Sequence, residues 1–98
     1  MTIEKTQNGN ELIIKLCGHL DTITAPELEA EFKTCLVGIN SLVFDLEGLE
    51  YVSSAGLRTL LLAHKTMSRL GGMKIINVCE TVKEIFDITG FIDIFTIE

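Results

Sequence analysis

Basic residues are scarce in this sequence: 8 lysines and arginines stand against 14 aspartates and glutamates, a formal net charge of −6 over 98 residues. Nucleic acids and anionic membrane surfaces reward clustered Lys and Arg, so the acid excess argues against either as the main partner. No run of about 20 apolar residues occurs, the length a membrane-spanning helix needs. Nor is there a charged-then-apolar start with a cleavage site. These absences lead us to expect a soluble, cytoplasmic protein without direct membrane insertion. The three cysteines, Cys17, Cys35 and Cys79, form no Cys-x-x-Cys pair. An odd, widely spaced set fits a reducing compartment, with each thiol packed as a small hydrophobe. With only two histidines besides, ligand spacing is lacking and no metal site is expected. Gly71-Gly72 has no following Lys-Ser/Thr, so no phosphate loop is present, and nucleotide binding has no residue signature. His19, Asp21 and Ser54 lack the Gly-x-Ser-x-Gly elbow that would make them a hydrolase triad. We therefore expect no catalytic residues, no cofactor and no enzyme. Internal repeats, low-complexity segments and linkers are absent too.

What is present reads as one small globular domain: 47% of residues are apolar and 22% charged, enough for a single modest core. Thr2 to Thr6 and Glu11 to Cys17 read as strands joined at Asn8-Gly9, the favoured centre of a two-residue hairpin turn with two positive φ angles. The second strand is nearly continuous in apolar residues and is expected inside the sheet, covered on both faces, with Gly18 ending it. Thr24 and Glu27, with Pro26 between them, form a capping box. The helix it opens buries Leu28, Phe32, Cys35 and Leu36, leaves Glu27, Glu29 and Glu31 in solvent, and stops at Gly38 and Asn40. Leu42 to Leu46 reads as a buried strand. A helix from Ser54 to Leu70 follows, with Leu57, Leu60, Leu61, Ala63, His64, Met67 and Leu70 on its apolar face and His64 satisfied at the core or its boundary. Met73 to Val78 is a strand, Thr81 to Thr89 a short helix ended by Gly90, and Phe91 to Ile97 a last strand. The order is β-β-α-β-α-β-α-β, an α/β fold with helices packed against a mixed sheet.

The segment Leu46 to Leu57 is the least like scaffold. It delivers two hydroxyls, Ser53 and Ser54, to a helix start, followed by two small residues, Ala55 and Gly56. One serine is explained by N-capping, since its oxygen satisfies an orphan backbone N–H. A pair followed by small residues leaves the helix end open to a partner or ligand. A helix start also suits reversible phosphorylation, because its free N–H groups and partial positive charge tolerate an anion. Arg58, Lys65 and Arg69 continue a solvent-side stripe from Ser54, and Leu62 sits in its middle, on the wrong side for the core. Singly, an exposed leucine needs no explanation. Flanked by three cations it reads as part of a docking face.

Four stretches carry a resemblance over nearly the whole chain: Gly18-His19-Leu20-Asp21, Asp45 to Leu49, Tyr51 to Leu57, and Val82 to Phe91. Together they resemble the STAS domain, shared by bacterial anti-sigma factor antagonists and the cytoplasmic tails of sulfate transporters. No transporter segment accompanies them, so the stand-alone antagonist branch is the nearer likeness, with residues 1–98 as one STAS domain. The family's helix motif reads Asp-Ser-Ser/Thr-Gly-Leu, its first hydroxyl being the phosphate acceptor. Aligning Gly56-Leu57 with it implies Ser54 as acceptor, Ala55 in place of the second hydroxyl, and Ser53 in place of the Asp, as cap or alternative acceptor. Asp21 matches the acidic residue placed beside the acceptor, a reading we favour over that of a turn residue leading into Thr24, because loops at the same ends of neighbouring strands would bring it near Ser54. Thr22 and Thr24 would complete the polar rim. The implied function is partner switching. An anti-sigma factor with serine kinase activity binds the unphosphorylated protein and releases it on phosphorylating Ser54, and a serine phosphatase resets it. The alternative is a constitutive STAS-type structural subunit of a membrane transporter or other regulatory complex.

Overall fold

The computed structural model describes all 98 residues. Its elements are β1 (Thr2–Asn8), β2 (Glu11–Leu20), α1 (Ala25–Cys35), β3 (Ser41–Val52), α2 (Ser54–Ser68), β4 (Met73–Ile76) and α3 (Glu80–Thr89), followed by a 3-10 turn at Phe91–Asp93. The four strands form one sheet in the order β1-β2-β3-β4. β1 is antiparallel to β2, while β2, β3 and β4 run parallel. Each parallel step is bridged by a helix, as the geometry of a crossover demands.

The turn between β1 and β2 is centred one residue later than the sequence suggested, on Gly9 and Asn10, because Asn8 already pairs with Glu11. Gly9 has φ 61° and Asn10 stays negative, so a single left-handed residue suffices where an Asn-Gly turn would need two. β2 lies inside the sheet as expected, but only one face is covered. Leu12, Ile14 and Leu16 are buried, whereas Ile13, Lys15 and Cys17 between them are half-buried. All three helices send their apolar residues to the same side, where Leu28 and Phe32, Leu57 and Leu60, and Val82 and Phe86 join one core with the strands.

Both central strands outrun their expected ends. Gly18 does not stop β2; with φ 102° it sits between two register shifts, and pairing resumes to Leu20 opposite Val52. β3 therefore continues through Glu47 to Val52. This is possible because Gly48 lies against Cys17, where a Cβ would fall 2.4 Å from the sulfur. The Thr24–Glu27 capping box does not form. Thr24 is already helical at φ −92°, ψ −21°, and its hydroxyl donates to the His19 carbonyl at 2.8 Å instead of capping α1. The expected last strand is also absent. Phe91 to Asp93 wind into the 3-10 turn so that Phe95 can enter the core, leaving one parallel bridge between Ile97 and Ile75. Leu70 lies beyond the end of α2 and is 43% exposed, not part of its buried face. His64 stacks edge-on to Phe95 at 5.8 Å, but its buried Nδ1 has no hydrogen-bond partner, so the ring is not satisfied there as expected.

Candidate functional site

β2 and β3 are parallel neighbours, so the chain leaves both at the same end of the sheet. The β2–α1 loop and the start of α2 are stitched there by the Ser53 N–H, which donates to the Leu20 carbonyl at 2.9 Å. Ser53 alone joins β3 to α2. Its extended backbone (φ −91°, ψ 176°) turns the chain, and its Oγ accepts from the Gly56 N–H at 3.3 Å. That is N-capping, a role that serine and aspartate fill about equally well. Ser54, the first helical residue, is exposed and its hydroxyl is left out of the cap. No carboxylate occupies the first turn of α2, so the partial positive charge of the helix start is not offset locally.

Gly56 shows how tightly this elbow is seated. A Cβ there would meet Leu20 Cγ, the Leu20 carbonyl oxygen and Val52 Cγ2, each at 2.8 Å. The small residue is thus a packing requirement, bringing the helix start against the ends of both strands. Leu57 behind it is buried, and Ala55 is half-buried at the groove between α1 and α2.

Asp21 shapes the neighbouring loop. Its Oδ1 accepts from the N–H groups of Ile23 at 3.0 Å and Thr24 at 3.1 Å, while its own N–H donates to the Thr24 hydroxyl at 2.9 Å. The Thr24 N–H above all holds the carboxyl below its ordinary range, against some desolvation and with help from the Ile23 N–H, the Thr24 hydroxyl and nearby His19. Asp21 thus acts as a turn residue of its loop. Its loop lies beside the α2 start, but that carboxylate oxygen is engaged within the loop. The Thr24 hydroxyl is likewise turned inward, whereas Thr22 is exposed and faces Ala55 across the groove.

The groove itself has a volume of about 500 Å³. Thr22, Ala25, Pro26 and Glu29 form its α1 side, and Ala55, Arg58, Leu62 and Lys65 its α2 side. Leu62 and Lys65 also border a second hollow of about 350 Å³ with Thr66, Arg69 and Leu70. The stripe read from the sequence is therefore continuous in space, with Leu62 37% exposed at its centre. Two apolar residues were missed. Leu70 extends the stripe, and Ile23 stands 81% exposed on the Asp21–Thr24 turn. The signal for Ile23 was available in principle, an isoleucine between two threonines in a polar loop.

The STAS domain sequence model matches residues 2–98, and the chain belongs to that family. BtrV of Bordetella bronchiseptica, which carries the name of an anti-sigma factor antagonist, is 39% identical over 90 residues, covering 88% of this chain and 76% of BtrV. The anti-sigma-B factor antagonist of Bacillus subtilis is 29% identical over 98 residues, covering 99% and 90%. Among solved structures, the phosphorylated form of the Bacillus cell fate determinant SpoIIAA superposes with a TM-score of 0.76 at 17% identity, over 99% of this chain and 91% of that one. At that identity the last match speaks to the fold alone. The sequence relatives place the chain among the anti-sigma factor antagonists. No helix in it is long and apolar enough to cross a membrane.

Proposed function

We propose that this protein is a cytoplasmic, non-enzymatic partner switch controlled at Ser54. Unphosphorylated, it binds an anti-sigma factor that is also a serine kinase, through the α1–α2 groove and the exposed stripe of α2. The kinase transfers the γ-phosphoryl group of ATP to Ser54 Oγ. The new O–P bond forms as the bond to ADP breaks, and the serine proton passes to a base of the kinase. The phosphate then stands in the interface and ejects the protein, until a serine phosphatase hydrolyses the ester and releases inorganic phosphate. Adding about −1.5 to −2 charges, which an interface cannot bury unpaired without heavy cost, is enough to reverse binding.

One observation carries this reading: Ser53 spends its oxygen on the cap while Ser54, beside it, is exposed with a hydroxyl left out of the cap. That division of labour favours Ser54 over Ser53 as acceptor. The test is mass spectrometry after incubation with the cognate kinase and ATP, paired with binding of Ser54→Asp. A single phosphate on Ser54 and lost binding by the variant are expected. Phosphate on neither serine, with Ser54→Asp binding as well as the native protein, would overturn the reading.

A second reading is favoured by Leu62 and Leu70, exposed well along α2 from Ser54. In it the chain is a constitutive subunit of a transporter or other complex. Ser54→Ala and Ser54→Asp would then bind equally well, and Leu62→Glu would abolish the complex. Co-purification of the untagged native complex separates the two, according to whether a sigma-regulating kinase or a transporter ATPase accompanies the chain.

A further inference from the structure

Charge is segregated along this chain. From Ser54 to Cys79 there are four cations, Arg58, Lys65, Arg69 and Lys74, and no carboxylate. The other four, Lys5, Lys15, Lys33 and Lys83, share the rest of the sequence with all 14 acids. Both arginines of the protein lie on or at the end of α2. Arg58, Lys65 and Arg69 are exposed and take no part in the ion pairs of the chain, which involve Lys5, His19, Lys33 and Lys74. Glu29, the one carboxylate lining the groove beside Arg58, is 3.5 Å from Lys33 and engaged there. An acidic protein that leaves its only arginines unpaired on one face presents that face to an acidic partner surface.

Arg58 is also four residues from Ser54 on the same helix. That spacing stacks two side chains on one face, with Cβ atoms about 5–6 Å apart, well within the reach of a guanidinium. We propose that Arg58 is the latch of the switch. With Ser54 free, its guanidinium belongs to the cationic face that grips an acidic patch of the partner. With Ser54 phosphorylated, the phosphate draws that guanidinium back onto the helix start. The inference rests on Ser54 being the switch residue, as argued above, and names what its phosphate does. Arginine suits the role because its planar fork matches phosphate oxygens in a two-bond contact that lysine cannot reproduce. The phosphate thus acts twice: it repels the acidic partner and removes a cation that had held it.

The first test needs no partner. Phosphoserine is installed at position 54 by an expanded genetic code, and its second ionisation is followed by phosphorus NMR in the native background, Arg58→Lys and Arg58→Ala. The three share the helix start, so differences report residue 58. Against an ordinary value near 6, the native protein should titrate lowest, at least about half a unit below Arg58→Ala, with Arg58→Lys between them. Superimposable curves would overturn the latch. The second test measures affinity for the purified anti-sigma kinase, with and without the Ser54 phosphate, on the native and Arg58→Ala backgrounds. Phosphorylation should weaken binding at least about fivefold more when Arg58 is present, a coupling of the size seen for directly interacting residues. Equal fold-losses on both backgrounds would overturn the latch and leave the switch standing. No loss on either would overturn the switch and the latch with it.

Discussion

Replacing Gly56 by alanine adds one methyl group at the most crowded point of the elbow. The new Cβ would lie 2.8 Å from Leu20 Cγ, from the Leu20 carbonyl oxygen and from Val52 Cγ2, about 0.6 Å inside the 3.4 Å at which ordinary contact begins. Two of the three contacts are side-chain atoms of residues no more than 1% exposed, so neither can swing aside freely. The third is backbone within β2, at the carbonyl that also receives the Ser53 N–H. Relief therefore requires α2 to move away from the strand ends, loosening the Ser53 hydrogen bond and the packing of Leu57 together. Overpacking of this kind costs about 1–3 kcal/mol, with backbone contact placing it toward the upper end. The better helix propensity of alanine returns at most about 1 kcal/mol. A net loss of about 2 kcal/mol is expected, which for a domain of this size lowers Tm by roughly 10 °C. Urea unfolding followed by circular dichroism measures it. A Gly56→Ala variant as stable as the native protein would show that the elbow is not closely seated and that the small residue has another cause.

Ser53→Ala removes the cap of α2 and should cost about 1 kcal/mol in the same assay, while Ser53→Asp keeps an acceptor, adds a favourable charge at the helix start and should cost nothing; equal losses from both would refute the capping role. The carboxyl of Asp21 is depressed in the folded state, so its contribution is fully present above the ordinary aspartate value of about 3.9 and disappears as pH falls through the lower folded value. The stability advantage of the native protein over Asp21→Asn should therefore be constant from neutral pH to about 5 and shrink on further acidification. Urea midpoints across that range test it, and a pH-independent difference would show that the charge of Asp21 does not hold the loop.

The parts of the structure legible in the sequence are those fixed by local periodicity and punctuation. Leu57, Leu60, Ala63 and Met67 recur at helical spacing and are buried, and Gly90 ends α3 with a φ of 83°. What escaped depended on distant neighbours. β3 runs to Val52 because β2, 30 residues earlier, continues beside it through two register shifts, and nothing in Glu47 to Val52 announces that. The capping box failed because Asp21 accepts the Thr24 N–H that Glu27 would have taken, and the Thr24 hydroxyl turns back to the His19 carbonyl. Phe91 to Ile97 has strand composition, yet Phe95 is worth more inside the core beside Phe86 than paired along an edge. The same division governs the site. Which residues stand at the helix start could be read directly, but their roles follow from one contact each. Ser53 is the cap because Gly56 offers its N–H at 3.3 Å, and Gly56 can approach because it has no side chain to meet Leu20. Ser54 is thereby left facing outward, one helical turn from an unpaired arginine. The strand-to-helix elbow thus does more than connect two elements. By absorbing one serine it exposes the other, and the packing that makes the elbow tight is what keeps Ser54 and Arg58 on the same open face.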